Sequence, residues 1–268
     1  MDLDQINRVG TAAAYGGGEI LNKYFGNISS VRKKGIIDLV TVADLESERE
    51  IIASIRKVFP GHSILAEESG YSDGTKDHQW IIDPLDGTTN FAHRLPIYAI
   101  SIAFTVKGET IMGMVLNPAS GEFFTATRGQ GARLNGKPIR VSSIDRMIDT
   151  LLVTGFPYDT ADIFEDLMVR FTTCLKATQG IRRLGSAALD LCYVACGRFD
   201  SFWEQNLKPW DTAAGALIVS EAGGKVTDFT GRIFRPEKKE ILATNARIHN
   251  YMLKLLTIRR MNENQHVI

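Results

Sequence analysis

Three acidic clusters stand out in the 268-residue sequence: Glu67-Glu68, Asp83-Pro-Leu-Asp86 and Asp211. Each falls where a predicted strand or helix begins or ends, and such ends are where side chains converge on a cleft. Proline fixes its own φ and restricts the residue before it. Pro84 therefore makes a stiff turn, able to hold the carboxylates of Asp83 and Asp86 and the Leu85 carbonyl around one point. Several hard oxygens in octahedral array with water are what magnesium takes. Gly87-Thr88-Thr89 follows directly. A glycine with exposed amides at a predicted helix start forms an anion site. Cation ligands followed by an anion cradle point to a phosphate bridged by metals and backbone amides. An acidic turn opening a helix explains D-x-x-D alone. It does not explain the whole string Trp80-Ile-Ile-Asp83-Pro-Leu-Asp86-Gly-Thr88-Thr-Asn-Phe91. Asp211, taken alone, reads as a first-turn carboxylate stabilised by the helix dipole.

The elements that must position these groups follow from periodicity. Residues 3–25 predict a helix interrupted by Gly16-Gly17-Gly18. Each interior glycine costs about 1 kcal/mol relative to alanine, so either the helix kinks there or close packing compensates. Residues 28–37, with Arg32-Lys33-Lys34-Gly35, read as a mobile basic loop. A second helix, capped near Thr41 or Asp44, carries Ile51, Ile55 and Val58 on one stripe and ends at Phe59-Pro60-Gly61. Strands are expected at 63–66 and at 80–83, the latter stopped by Pro84, and an antiparallel meander at 97–106, 110–116 and 122–127. The pattern restarts near Ser143. Strands are expected at 151–154, 199–204, 225–228 and 240–244, and helices at 163–176, 186–196, 209–222 and 248–259, before a polar tail. The mixture predicts an α+β fold in two halves, residues 1–144 and 145–268.

Composition narrows the function classes. Thirty-one basic residues balance 31 acidic ones, which argues against a broad nucleic-acid footprint. The acidic amino terminus does not read as a signal peptide, and no apolar run is long enough to span a bilayer. Three cysteines suit a reducing compartment, and Cys192 and Cys196, four apart, suit one helix as small core residues. A cytoplasmic protein is expected. The scattered histidines give no zinc pattern, and His93, close behind the phosphate turn, reads as structural.

The acidic strings, with their neighbours, carry a resemblance. Glu67-Glu68-Ser69, Asp83-Pro-Leu-Asp-Gly-Thr88-Thr-Asn-Phe91, Trp210-Asp211-x-Ala-Ala-Gly215 and Ser220-Glu-Ala-Gly-Gly224 closely resemble the inositol monophosphatase family. Leu39-Val40-Thr41-x-x-Asp44 and Gly185-Ser-Ala-Ala188 add further signatures in the expected order, over residues 30–245. The resemblance implies a layered α-β-α-β-α sandwich of the sugar-phosphatase type, often a homodimer, with two or three Mg2+ ions. It implies metal ligation by Glu67, Asp83, the Leu85 carbonyl, Asp86 and Asp211, and phosphate contacts from Gly87 and Thr88. Asp44 and Thr88 match the pair beside the attacking water and, with Glu67, form the implied catalytic set. Arg182, Ala187 and Glu204 fall where substrate hydroxyls are met, and Glu67, Leu85, Asp86 and Asp211 also border the substrate. Arg182 with Arg183 reads equally as a surface pair. Lys33 matches a segment associated with a loosely held metal. The glycine triplet in the first helix departs from the family pattern.

The implied activity is Mg-dependent hydrolysis of a small phosphorylated polyol or sugar. Inositol 1-phosphate comes first because of Glu204. Fructose 1,6-bisphosphate, histidinol phosphate and a 3',5'-bisphosphate nucleotide are the alternatives within the fold. Lithium inhibition is an expectation of the resemblance alone. A regulatory binding protein with the same fold is the alternative from a different class.

Overall fold

Asp2 and Thr41 start the two helices that cover one face of the molecule. The computed structural model describes residues 2–27, 31–33, 39–157 and 160–257. Helix α1 (Leu3–Tyr24) begins at Asp2, whose carboxylate accepts the Gln5 N–H. Helix α2 (Val42–Val58) begins at Thr41 with a capping box closed by Asp44. Helix α1 runs unbroken through its glycine triplet. A Cβ on Gly17 would lie 2.9 Å from Cδ1 of both Ile51 and Ile100, and one on Gly18 3.0 Å from Leu116 Cδ2. Close packing, one of the two outcomes expected, is what the triplet provides. The basic segment differs from expectation. Strand β1 (Val31–Lys33) pairs antiparallel with β2 (Leu39–Thr41). The β-branched Val31, Val40 and Thr41 suit that pairing, whereas three-residue strands are too short to show the periodicity whose absence suggests a loop. Lys34, and the side chain of Lys33, lie outside the described residues.

The next strands are β3 (His62–Ala66), β4 (Gly70–Ser72), β5 (Thr75–Asp86), β6 (Ala99–Val106), β7 (Glu109–Asn117), β8 (Glu122–Thr127), β9 (Ala132–Leu134) and β10 (Lys137–Pro138), with the short helix α3 (Thr88–Ala92) after β5. Among the described residues they form one sheet in the order β10-β9-β8-β7-β6-β5-β3-β4. The expected meander is β6, β7 and β8, all antiparallel. The short strands β4, β9 and β10 are additions to the expected set, and β5 departs from expectation in not being stopped by Pro84 but running on to Asp86. A register shift between Asp83 and Asp86 against β6 absorbs the proline, which has no N–H for the ladder.

That shift also changes which side faces which layer. Trp80 and Ile82 pack under α1 and α2, while Ile81 points to the opposite core. Uninterrupted alternation would send Leu85 with Ile81 and Asp86 with Ile82. Instead Leu85 joins the core under α1 and α2, and Asp86 opens into a cleft with Asp83.

The second sheet comes from β11 (Leu151–Thr154), β12 (Gly180–Arg182), β13 (Ser201–Gln205), β14 (Lys225–Thr227) and β15 (Glu240–Thr244), in the order β12-β11-β13-β15-β14. Helices α5 (Ala187–Ala195) and α6 (Pro209–Glu221) lie between the sheets, and Ala188, Leu191, Ala214 and Ile218 share one buried cluster with both. Gly113 on β7 permits the contact: a Cβ there would lie 2.6 Å from the Ala214 carbonyl oxygen. Helices α4 (Phe164–Ala177) and α7 (His249–Leu256) cover the far face of the second sheet, packing Cys174 and Met252 on Leu152, Trp203 and Leu242. The layers are therefore α-β-α-β-α. Among the described residues no helix is long and apolar enough to cross a membrane.

Candidate active site

A cleft of about 330 Å³ opens between the end of β5, the start of α5, the end of β13 and the start of α6. That is room for one small ligand. Glu67, Asp83, Leu85, Asp86, Gly87, Thr88, Ala187, Glu204 and Asp211 all line it.

Each acidic side chain is aimed by a local device. Glu67 follows β3, where its N–H still bonds to the Ile82 carbonyl at 3.1 Å. The next two amides, of Glu68 and Ser69, are held by the buried Glu48 carboxylate of α2, both at 2.9 Å. Asp83 accepts the Leu85 N–H on Oδ1 at 2.9 Å, closing the turn across Pro84. Asp86 Oδ2 accepts from Ser186 Oγ at 2.6 Å and from the Ala188 N–H at 2.7 Å. Strand β5 is thus tied to the first turn of α5. Asp211 stands third in α6 and accepts the Lys208 N–H on Oδ2 at 2.7 Å. The helix-start reading and the cleft reading of Asp211 therefore both hold structurally. Among the described residues, no protein hydrogen bond engages the second oxygen of Asp83 or of Asp211.

Asp44 sits behind the cleft. It is fully buried, and its Oδ2 accepts from both the N–H and the hydroxyl of Thr41, at 2.9 and 2.6 Å. Its Oδ1 lies 3.1 Å from Thr88 Oγ1, which is also 3.1 Å from the Leu85 carbonyl oxygen. Gly87 adopts φ +95°, and a Cβ there would lie 3.0 Å from the Ile97 carbonyl oxygen and 3.2 Å from that of Gly185. Only glycine suits this left-handed turn between two approaching backbones. Asn90 fixes the same junction, donating to the Ile97 and Leu184 carbonyls at 2.7 Å.

Crowding sets the electrostatics. Burial, then repulsion from Glu67, Asp86 and Asp211, pushes the Asp83 carboxyl well above the usual range. Burial raises Asp86 to about 6 against the lowering effect of its Ser186 and Ala188 bonds. Burial and Asp86 raise Asp211. Burial raises Glu204 to about 8, with Asp211 and Asp86 adding to it and Arg183 opposing. Asp44 rises to about 6, chiefly through burial, despite its bonds to Thr41. Several carboxylates that resist ionisation together are stabilised by cations placed among them. The donor set is hard oxygen throughout, which fits magnesium and not a thiophilic metal. Among the described residues no three acidic, histidine or cysteine side chains already close on one point. The carboxylates line a common space.

One expected contact is displaced. Arg182 ends β12 on an edge of the sheet, exposed, with its guanidinium turned to the Ile181 carbonyl, and is absent from the lining. Arg183, exposed as well, takes that place at the rim of the cleft. Successive side chains of an extended segment point to opposite sides, so the pair Arg182-Arg183 splits between surface and cleft. Among the further lining residues without an assigned role, Ser186, Asp190 and Gly155 adjoin the acids. Ser186 lies within a family signature but binds Asp86. Asp190 stands one helical turn beyond Ser186, a spacing that marks the same face. Gly155 gives no sequence signal, yet a Cβ there would fall inside the Glu204 carboxyl group. His93 is exposed at the end of α3 and does not line the cleft, and Cys192 is core.

Comparison with known proteins agrees with this architecture. The family model described as the inositol monophosphatase family matches residues 2–265. The chain belongs to the inositol monophosphatase family. A protein of Pseudomonas aeruginosa named Nus factor SuhB is 44% identical, over 94% of this chain and 95% of its own. The inositol-1-monophosphatase of Synechocystis is 42% identical, over 95% of this chain and 90% of its own. The crystal structure of extragenic suppressor protein suhB from Bartonella henselae superposes with a TM-score of 0.91 at 40% identity, covering 94% of this chain and 98% of that one.

Proposed function

We propose that this protein is a magnesium-dependent phosphomonoesterase acting on a small phosphorylated polyol, with inositol 1-phosphate the preferred ester. The observation that carries the reading is the meeting, in one cleft, of Glu67 after β3, Asp83 and Asp86 on β5, and Asp211 on α6, beside the Gly87-Thr88 turn. Glu67, Asp83, the Leu85 carbonyl, Asp86 and Asp211 hold two or three Mg2+ ions. When bound, such ions acidify water, clamp phosphate oxygens and stabilise a leaving alkoxide. The amides at Gly87 and Thr88 receive the phosphate. Thr88 donates its hydroxyl proton to Asp44, which leaves its oxygen lone pairs to accept a proton from the attacking water and orient it. Water oxygen bonds to phosphorus as the ester P–O bond breaks, and the alcohol oxygen takes up a proton. No serine or cysteine stands as a nucleophile at the phosphate turn, so the reading includes no covalent phosphoenzyme. Glu204, Arg183 and the Ala187 turn contact the polyol. The cytoplasmic location belongs to the same reading and is supported by three cysteines that are all free thiols. Pairing of two copies is supported by the exposed Phe164, Val169 and Leu175 on α4, and sedimentation equilibrium tests it.

The deciding experiment ranks inositol 1-phosphate, fructose 1,6-bisphosphate, histidinol phosphate and adenosine 3',5'-bisphosphate by kcat/KM with and without Mg2+. Preference for the nucleotide would overturn the ordering, and turnover unaffected by a chelator would overturn the metal requirement. Relatives named Nus factor SuhB favour a second reading, a regulatory binding role. An Asp86→Asn protein that is inactive yet retains protein partners in pull-down supports it.

A further inference from the structure

Asp190 is the buried charged group that the reading above leaves without a task. It is 1% exposed, lines the cleft, and its Oδ1 has no hydrogen-bond partner among the described residues. The one other such atom there is the Tyr98 hydroxyl, enclosed by Phe25 and Phe91 in the core under α1 and α2. Asp190 is different because open space adjoins it. Ser186, Ala187 and Asp190 share one face of α5 by helical spacing. The first ties down Asp86, and all three line the cleft. Glu204 and Asp86 are the acids near Asp190, and Arg183 is the nearby base. Buried acceptors without partners are rare because desolvation is then uncompensated. Burial, with Glu204 and Asp86 adding to it, raises the Asp190 carboxyl; in either protonation state the group keeps an accepting oxygen, and the partner that the buried Oδ1 lacks can arrive only from the cleft. Arg183 already supplies counter-charge at this end, so a neutral hydroxyl fits better than an ammonium group.

We propose that Asp190 is a specificity-determining residue that accepts a hydrogen bond from a substrate hydroxyl beside the one met by Glu204. Its pairing with Glu204 selects phosphate esters of polyols with neighbouring hydroxyls remote from the phosphate. The inference rests on the phosphatase reading above.

The test compares Asp190→Ala and Asp190→Asn with the unaltered protein on inositol 1-phosphate and on phenyl phosphate, which has no such hydroxyls, both with Mg2+. Loss of a buried hydrogen bond predicts a KM for inositol 1-phosphate raised about fivefold or more in Asp190→Ala. The kcat is expected within about twofold and phenyl phosphate hydrolysis unchanged, because that ester never made the contact. Asp190→Asn, which keeps an acceptor oxygen, recovers most of the loss. Equal loss on both esters, or no change on either, overturns the proposal. If the unaltered protein hydrolyses no ester, the phosphatase reading fails by itself. Calorimetric titration with inositol 1-phosphate then decides this proposal: weaker binding by Asp190→Ala supports it, and equal or absent binding overturns it. If Asp190→Ala does not fold, Asp190→Ser is measured in its place.

Discussion

Gly155 and Glu204 occupy adjoining space so closely that any side chain at residue 155 would overlap the Glu204 carboxyl group. Glu204 is otherwise buried and lines the cleft, so its carboxyl can retreat only into the space where substrate would sit. Gly155→Ala is expected to displace it, lowering kcat/KM on inositol 1-phosphate by about tenfold or more and stability by about 1–3 kcal/mol through overpacking. Kinetics and thermal melting check both. An unchanged KM would mean that Glu204 does not meet the substrate.

The Thr88–Asp44 pair is expected to act on turnover, not on binding. Thr88→Ala leaves Gly87 and the backbone amides in place and removes the hydroxyl that orients water. Positioned proton-transfer groups contribute about 100-fold or more, so kcat is expected to fall by about that factor while KM changes little. A matching rise in KM with unchanged kcat would assign Thr88 to binding alone.

Arg182 and Arg183 separate by the side they face. Arg183→Ala is expected to raise KM about fivefold or more, the order of one charge-assisted contact. Arg182→Ala, at an exposed edge, is expected within about twofold of the parent. Steady-state kinetics on the two variants decides between them. The opposite ranking would return the substrate contact to Arg182.

Crowded carboxyls make the metal-free protein sensitive to alkali. A carboxyl whose pKa is raised in the folded state keeps its proton after the unfolded chain has released it near pH 4. Stability is then lost as pH rises through the folded values, about 6 for Asp44 and Asp86 and about 8 for Glu204. His249 works the other way, because burial lowers it to about 4 and stability is gained as pH rises toward 6.5. Above pH 6.5 the carboxyls act unopposed by it. Calorimetry of chelator-treated protein should show the melting temperature falling from pH 6.5 to 8.5, and Mg2+ should flatten the fall. A flat or rising profile without metal would contradict the crowding.

The glycine triplet of α1 is heterogeneous in its contacts. A Cβ on Gly16 meets the flexible Glu50 side chain at 3.3 Å, whereas one on Gly17 meets the buried Ile51 and Ile100 at 2.9 Å. Gly16→Ala is expected to stabilise by up to about 1 kcal/mol through helix propensity. Gly17→Val is expected to destabilise by about 1–3 kcal/mol through overpacking. Denaturant midpoints test the contrast.

The layered fold was legible because its signals are local. Period-two runs such as Ile100-Ser-Ile102 and the capping residues Thr41 and Ser186 mark elements without knowledge of their partners. The acidic motif was legible because its residues sit together in sequence or carry distinctive neighbours, as Asp211 does with Trp210. Arg183 was missed because sequence does not say which of two adjacent arginines borders the cleft. Gly155 was missed because its reason is Glu204, a residue far along the chain. The continuation of β5 past Pro84 was missed because a proline in a strand ordinarily signals its end, and the register shift that rescues it is set by β6.

That shift between Asp83 and Asp86 makes the candidate site a phase defect in an otherwise periodic strand. A strand encodes side by parity, and the irregularity resets the count once, so two acids three apart face the same way. Uninterrupted pairing of the same residues would restore the period. The sheet and its helices would retain their pattern, but one of the two acids would turn toward the apolar layer beneath α1 and α2. Pairing in this segment is thus as informative as residue identity, and a search for equivalent sites should ask whether three steps on this strand face two on its neighbour.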